Sequence, residues 1–216
     1  VTSSTSPQPA EPFRFSTLAE YVDTLDDVTD GHVEGFHEQG YITVRQAVDA
    51  EAAAEAAQAM WDLIDDKSHF DCIMVEETME EKFSKLSGVA RRNAVRKIMN
   101  FVDYDERLKV LAEHPGILSV VQRLMGEPPV LFQQMGLMKP PRGRQKPWHQ
   151  DCAYFTASVD TTVVGVWIAL DSATVENGCL HLIPGPTEKA PNLTSGSSTG
   201  RSATPRCRWS VRSWSR

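Results

Sequence analysis

Along the first part of the chain apolar residues recur at helical spacing, and near Val130 the spacing changes to strand alternation. TDGHVEGFHEQG predicts a short helix, with Thr29 or Asp30 as its N-cap and Gly40 ending it in the left-handed conformation. YITVR then alternates, with Ile42 and Val44 on one face, and predicts a strand. DAEAAAEAAQAMWDLIDD predicts an alanine-rich helix capped by Asp49, with Ala53, Ala56, Met60, Leu63 and Ile64 as its apolar stripe. HPGILSVVQRLMGEPP predicts another, with Pro115 in the first turn, a stripe of Ile117, Leu118, Val121 and Leu124, and Gly126 as its stop. Residues 70–105 mix helical patterning with many charges and define no element boundaries. From Val130 onward VLFQQMGLMKP, PWHQDCAYF, TTVVGVWIAL and GCLHLIP predict strands, separated by turn-rich pieces such as PPRGRQKP and DSATVENG. Helices first and consecutive strands after predict an α+β chain with an antiparallel β-sandwich or barrel core.

Composition narrows the class. A 216-residue chain that is 41% hydrophobic and 24% charged is expected to form one globular domain. It has no apolar run long enough for a membrane span, and VTSSTSPQPAEP reads as a disordered lead-in, extending over 1–28, rather than a secretory signal. Cys72, Cys152, Cys179 and Cys207 show no C-x-x-C spacing, so reduced thiols and a cytoplasmic location are the expectation. The net charge of −7 gives no reason to expect a nucleic-acid partner. The charge is uneven: residues 190–216 hold five arginines and no acidic residue, with no helical or strand period and few branched aliphatics. A nucleic-acid-seeking basic tail is the lesser reading of that segment, and a non-native or disordered end the preferred one.

The chemistry concentrates in KPWHQDCAYF. On a strand, residues i and i+2 project from the same face, so His149 and Asp151 would converge while Gln150 faces away. An imidazole nitrogen and a carboxylate oxygen suit a metal, and two histidines with one carboxylate form the facial set that leaves open positions on Fe(II). A half-buried strand with two polar residues on its wet face meets the same pattern, and the residues alone leave both readings open. His32, His37 and His69 read as solvated or core-edge histidines beside the helices.

KPPRGRQKPWHQDCAYF, VVGVWIALDSATVENGCLHLIPG and the upstream RKIMNFVDYDERLKVLAEHPGILSVVQRLMGEPP together resemble the phytanoyl-CoA dioxygenase family, and FHEQGYITVR resembles its N-terminal helix–strand. The resemblance covers roughly residues 30–189. It implies a double-stranded β-helix (jelly-roll) core with N-terminal helices packed outside it, over a domain of 29–189. It further implies a dioxygenase dependent on Fe(II), 2-oxoglutarate and O2 that hydroxylates an unactivated C–H bond of a small organic substrate. His149 and Asp151 then stand as the first two iron ligands, Lys97 as the residue binding a 2-oxoglutarate carboxylate, and Gln150 and Trp167 as neighbours of that cosubstrate. Without the resemblance Lys97 reads as a solvated helix residue and Trp167 as a core aromatic.

The pattern also departs from the family. The resemblance implies a further histidine and an arginine on later core strands, and no histidine follows His181. His181 lies in GCLHLIPG, where the family has an ordinary strand residue, and Pro186 and Thr187 replace the family's usual small residue and histidine. The expectation is therefore an oxygenase whose C-terminal core strands are missing through truncation or a frame slip, with a non-catalytic remnant of the same fold as the alternative.

Overall fold

Two apolar clusters organise the chain in the computed structural model, which describes residues 17–68, 70–141, 143, 149–151, 161–185 and 210–213, with backbone only at Phe70, Glu77, Gln150 and 210–213. The smaller cluster gathers Val22, Val28, Phe36, Val120 and Leu124. Strand β1 (Val22–Thr24) pairs in parallel with β2 (Val44–Gln46), Val22 opposite Val44. Ordered structure thus begins ahead of residue 29: Val22 and Val28, assigned by composition to the lead-in, are buried here. Helix α1 (Asp30–Gln39) starts as expected at Thr29, whose backbone N–H donates to His32 Nδ1 at 3.0 Å while its hydroxyl accepts from the His32 N–H. Gly40, at φ 85°, closes it in the left-handed region.

The larger cluster forms where α2 (Ala50–Asp65) lays Ala56, Ala59, Met60, Leu63 and Ile64 on a three-stranded sheet. That sheet, β3 (Ile73–Val75), β4 (Val95–Met99) and β5 (Met135–Leu137), is antiparallel in the order β3-β4-β5. Ile73, Ile98 and Gly136 form the row on its core face, and Met74, Lys97 and Leu137 the row on its outer face. Gly136 is required by the packing, since a Cβ there would stand 2.8 Å from Met60 Sδ. Strands are therefore interleaved with helices through the N-terminal half instead of following them. Residues 95–99, within the stretch of helical patterning, form the central strand.

Helices α3 (Glu80–Phe83) and α4 (Gly88–Ala94) close one end of this core through Arg91, which is buried. Its guanidinium donates to the backbone carbonyls of Ile64 and Phe83 and stacks 4.0 Å over the Phe83 ring. Helix α5 (Glu106–Ala112) is tied to α2 by Arg107, which donates to Asp105 at 2.6 Å and Asp62 at 2.8 Å. Those hydrogen bonds hold both carboxyls below their ordinary range. Helix α6 (Pro115–Met125) has Pro115 in its first turn and Gly126 as its left-handed stop, and its cap is His114, whose Nδ1 accepts from the Ile117 N–H.

Beyond β5 the described residues hold β6 (His149–Gln150), β7 (Leu180–Leu182) and β8 (Ser210–Ser213), an antiparallel sheet in the order β6-β8-β7. Strand β8 comes from the segment without a legible period: it draws its hydrogen bonds from two neighbours rather than from an apolar face of its own. TTVVGVWIAL, expected as a strand, keeps only a single bridge at Val163, because its alternation meets no continuous partner among the described residues. The class is mixed helix and sheet, with small sheets. No helix among the described residues is long and apolar enough to cross a membrane.

Arg91→Ala should lower the unfolding free energy by about 3 kcal/mol in urea denaturation, because it strips two interior carbonyls of a charged donor. His114→Ala should cost about 1 kcal/mol by the same measurement, while His114→Asn, which restores a cap acceptor, should recover most of it.

Candidate functional site

Strand β6 carries His149 and ends at Gln150; Asp151 follows in a tight helical turn rather than on the strand, and His149 Nε2 still lies 3.3 Å from Asp151 Oδ1. Their side chains are 16% and 34% exposed, so the pair is partly sheltered yet reachable. Two ligands each about 2.1 Å from an octahedral ion stand about 3 Å apart in adjacent positions, close to this edge. The nitrogen and oxygen donors therefore fit two sites on a divalent metal. Among the described residues no third His, Cys, Asp or Glu joins them.

Register shows why His181 does not. His149 stands opposite Val211, and Val211 opposite Leu182, so positions 149 and 182 share one face of the sheet. His181, one residue earlier, belongs to the other face, where its Nε2 lies 3.7 Å from Cys179 Sγ. Lys97 sits mid-strand on β4 between Met74 and Leu137, not on a helix, and among the described residues its ammonium makes no hydrogen bond or ion pair. Gln150 is placed on β6 by backbone pairing with Ser210, and its side chain lies outside the described residues. Trp167 lies in the irregular stretch 161–170 and is 45% exposed, so it is not a core aromatic. His32 and His114 cap helices and His37 packs edge-on against Phe36, while His69 lies outside the described residues.

Residues 36–200 match the family model of phytanoyl-CoA dioxygenase (PhyH). The chain belongs to the phytanoyl-CoA dioxygenase family. The match reaches past Lys189 into the segment set apart by composition. Among curated relatives, the 2-aminoethylphosphonate dioxygenase of an uncultured bacterium is 30% identical over 50% of this chain and 41% of its own length. A probable phytanoyl-CoA dioxygenase of Caenorhabditis elegans is 28% identical over 69% of this chain and 50% of its own. The L-proline trans-4-hydroxylase of Streptomyces griseoviridis is 32% identical over 43% and 36% respectively. The chain spans about half the length, or less, of these relatives.

In this phytanoyl-CoA dioxygenase family chain a second polar cluster lies on the face away from His149. Lys139 donates to the Gly178 carbonyl beside Cys179, and His181 closes the other side. Burial pushes the Cys179 thiol up, and the Lys139 ammonium opposes that rise. Nothing in the spacing of Lys139 and Cys179 signals this contact, since it forms only when β7 folds back. Lys139→Met should raise the Cys179 pKa further. Site-resolved mass spectrometry should then show its alkylation by iodoacetamide slowed severalfold, with the rate–pH profile displaced to higher pH.

Proposed function

We propose that this chain carries the site of an Fe(II)- and 2-oxoglutarate-dependent dioxygenase that hydroxylates an unactivated C–H bond of a small organic molecule, with His149 and Asp151 as two of the metal donors. The 3.3 Å approach of His149 Nε2 to Asp151 Oδ1 carries the reading. A convergent nitrogen and oxygen at the end of a short strand offer a divalent ion two adjacent positions. Iron, when bound, would supply oxidative decarboxylation of 2-oxoglutarate with O2 and oxidation of the substrate carbon.

The chain's own residues have the other tasks. Lys97, whose ammonium meets no hydrogen-bond or ionic partner among the described residues, would take a carboxylate of 2-oxoglutarate. Gln150 and Trp167 would stand near that cosubstrate, and the small sheets would form parts of a double-stranded β-helix. The relatives named for 2-aminoethylphosphonate and L-proline support a small-molecule substrate. One observation favours a second reading, a binding or non-catalytic member of the fold. His149 and Asp151 also lie at the distance of an ordinary ion pair, formed when the imidazole is protonated, and the described residues offer them no third donor.

Anaerobic calorimetry with Fe(II) or Co(II) separates the two. The proposal expects one site per chain, weakened about tenfold or more by His149→Ala or Asp151→Ala, and succinate formed from 2-oxoglutarate under O2. Metal uptake that both substitutions leave unchanged would leave the ion-pair reading in place.

A further inference from the structure

Cys179 and His181 flank Leu180 at the start of β7, and alternation puts both on the face of the β6–β8–β7 sheet that turns away from His149. Cys179 Sγ lies 3.7 Å from His181 Nε2, and both residues are half-buried. A tetrahedral zinc ion held at about 2.3 Å by sulfur and about 2.0–2.1 Å by nitrogen sets those donors about 3.5 Å apart. The pair therefore spans one edge of that tetrahedron as it stands. The backbone under it is fixed. The N–H groups of Gly178 and Cys179 both donate to the Thr174 carbonyl, at 3.0 and 2.8 Å. Asn177 accepts from the Thr174 N–H at 2.7 Å and donates to the Ser172 carbonyl, while Lys139 holds the Gly178 carbonyl. A thiol on a turn tied at so many points has little freedom left to lose on binding an ion.

We propose that Cys179 and His181 form a zinc(II) site separate from the proposed iron donors, with water completing the coordination. Donor softness sets the metal. A thiolate with an imidazole favours zinc over Fe(II), whereas His149 and Asp151 offer the harder nitrogen–oxygen set. Zinc replaces the thiol proton: the Cys179 S–H bond gives way to a sulfur–zinc bond, the proton leaves to the buffer, and no electron is transferred. Charges of both signs act on the sulfur, the Lys139 ammonium stabilising its thiolate and the Glu176 carboxylate offsetting the repulsion between that ammonium and a dication. Cys72, the other described thiol, is enclosed in the larger apolar cluster and does not compete.

The test is calorimetric titration with Zn(II) of the reduced full chain carrying His149→Ala and Asp151→Ala, so that the other donor pair takes no metal. It should bind one Zn(II) and release about one proton, read from titrations in buffers of different ionisation heat. Adding Cys179→Ser or His181→Ala should weaken Zn(II) about tenfold or more, since a lost ligand costs at least as much as a lost outer partner. Circular dichroism checks that each variant folds, and His181→Gln, close in size and polar, replaces the alanine if it does not. In site-resolved mass spectrometry, saturating Zn(II) should slow alkylation of Cys179 by iodoacetamide about tenfold or more, because a metal-held sulfur is no longer a free thiolate, and Mg(II) should leave the rate unchanged. No zinc uptake, uptake unchanged by Cys179→Ser and His181→Ala, uptake without proton release, or alkylation of Cys179 at one rate with and without Zn(II) would each overturn the proposal. Zinc held instead by Cys152 or Cys207 would appear as protection of those thiols in the same spectra and would overturn it equally.

Discussion

The packing of α2 on one face of the β3–β4–β5 sheet decides the orientation of everything around Lys97. Ile64, Val95 and Ile98 are wholly buried there. Side chains alternate along a strand, so turning Ile98 inward turns Lys97 and Met99 outward. Slipping β4 by one residue would expose Ile98 and bury the ammonium. Each such apolar side chain is worth about 1.5–3 kcal/mol when buried, and an unpaired buried charge costs more still, so the register has no close competitor. Gly136 belongs to the same constraint, because any larger residue would push Met60 off the sheet.

The sheet that carries His149 is held differently. Its strands run two to four residues and rest mainly on ladder hydrogen bonds. The approach of His149 to Asp151 is a local contact at the end of β6, where the chain turns just after Gln150. Alternation also splits the chemistry of this sheet: nitrogen and oxygen donors on one face, and the softer Cys179–His181 pair on the other. His181 is thus held on the opposite face of the sheet from His149.

Local signals were legible in the residues and non-local ones were not. Thr29, Asp49, Pro115, Gly40 and Gly126 act at the helix ends they sit on, so capping chemistry finds them directly. The convergence of His149 and Asp151 was readable for the same reason, being a contact between residues two apart. Strands β1, β3 and β4 were hidden: three to five residues give too few turns of any period, and RKIM lies among charges that mimic a helix. TTVVGVWIAL shows the opposite failure, for alternation specifies faces but supplies no partner strand. The companions of Lys97 could not be found in one dimension, because Met74 and Leu137 reach it only through register.

Two cations in adjacent elements show how burial and partnership together separate structure from function. Arg91, at the base of α4, is enclosed and spends its donors on the Ile64 and Phe83 carbonyls, so its charge is consumed in joining three helices. Burial depresses the pKa of that guanidinium, yet it stays charged because guanidinium starts so high. Lys97, a few residues on, is only half-buried and has apolar neighbours on both flanks. An ammonium on that face needs a counter-charge or water, since neither Met74 nor Leu137 can accept a hydrogen bond of any strength. Replacing Lys97 with methionine would complete an uninterrupted apolar row at no cost to the core. A lysine in that row contributes nothing to packing that methionine would not, and this is what favours the proposed role of Lys97 as an anion anchor.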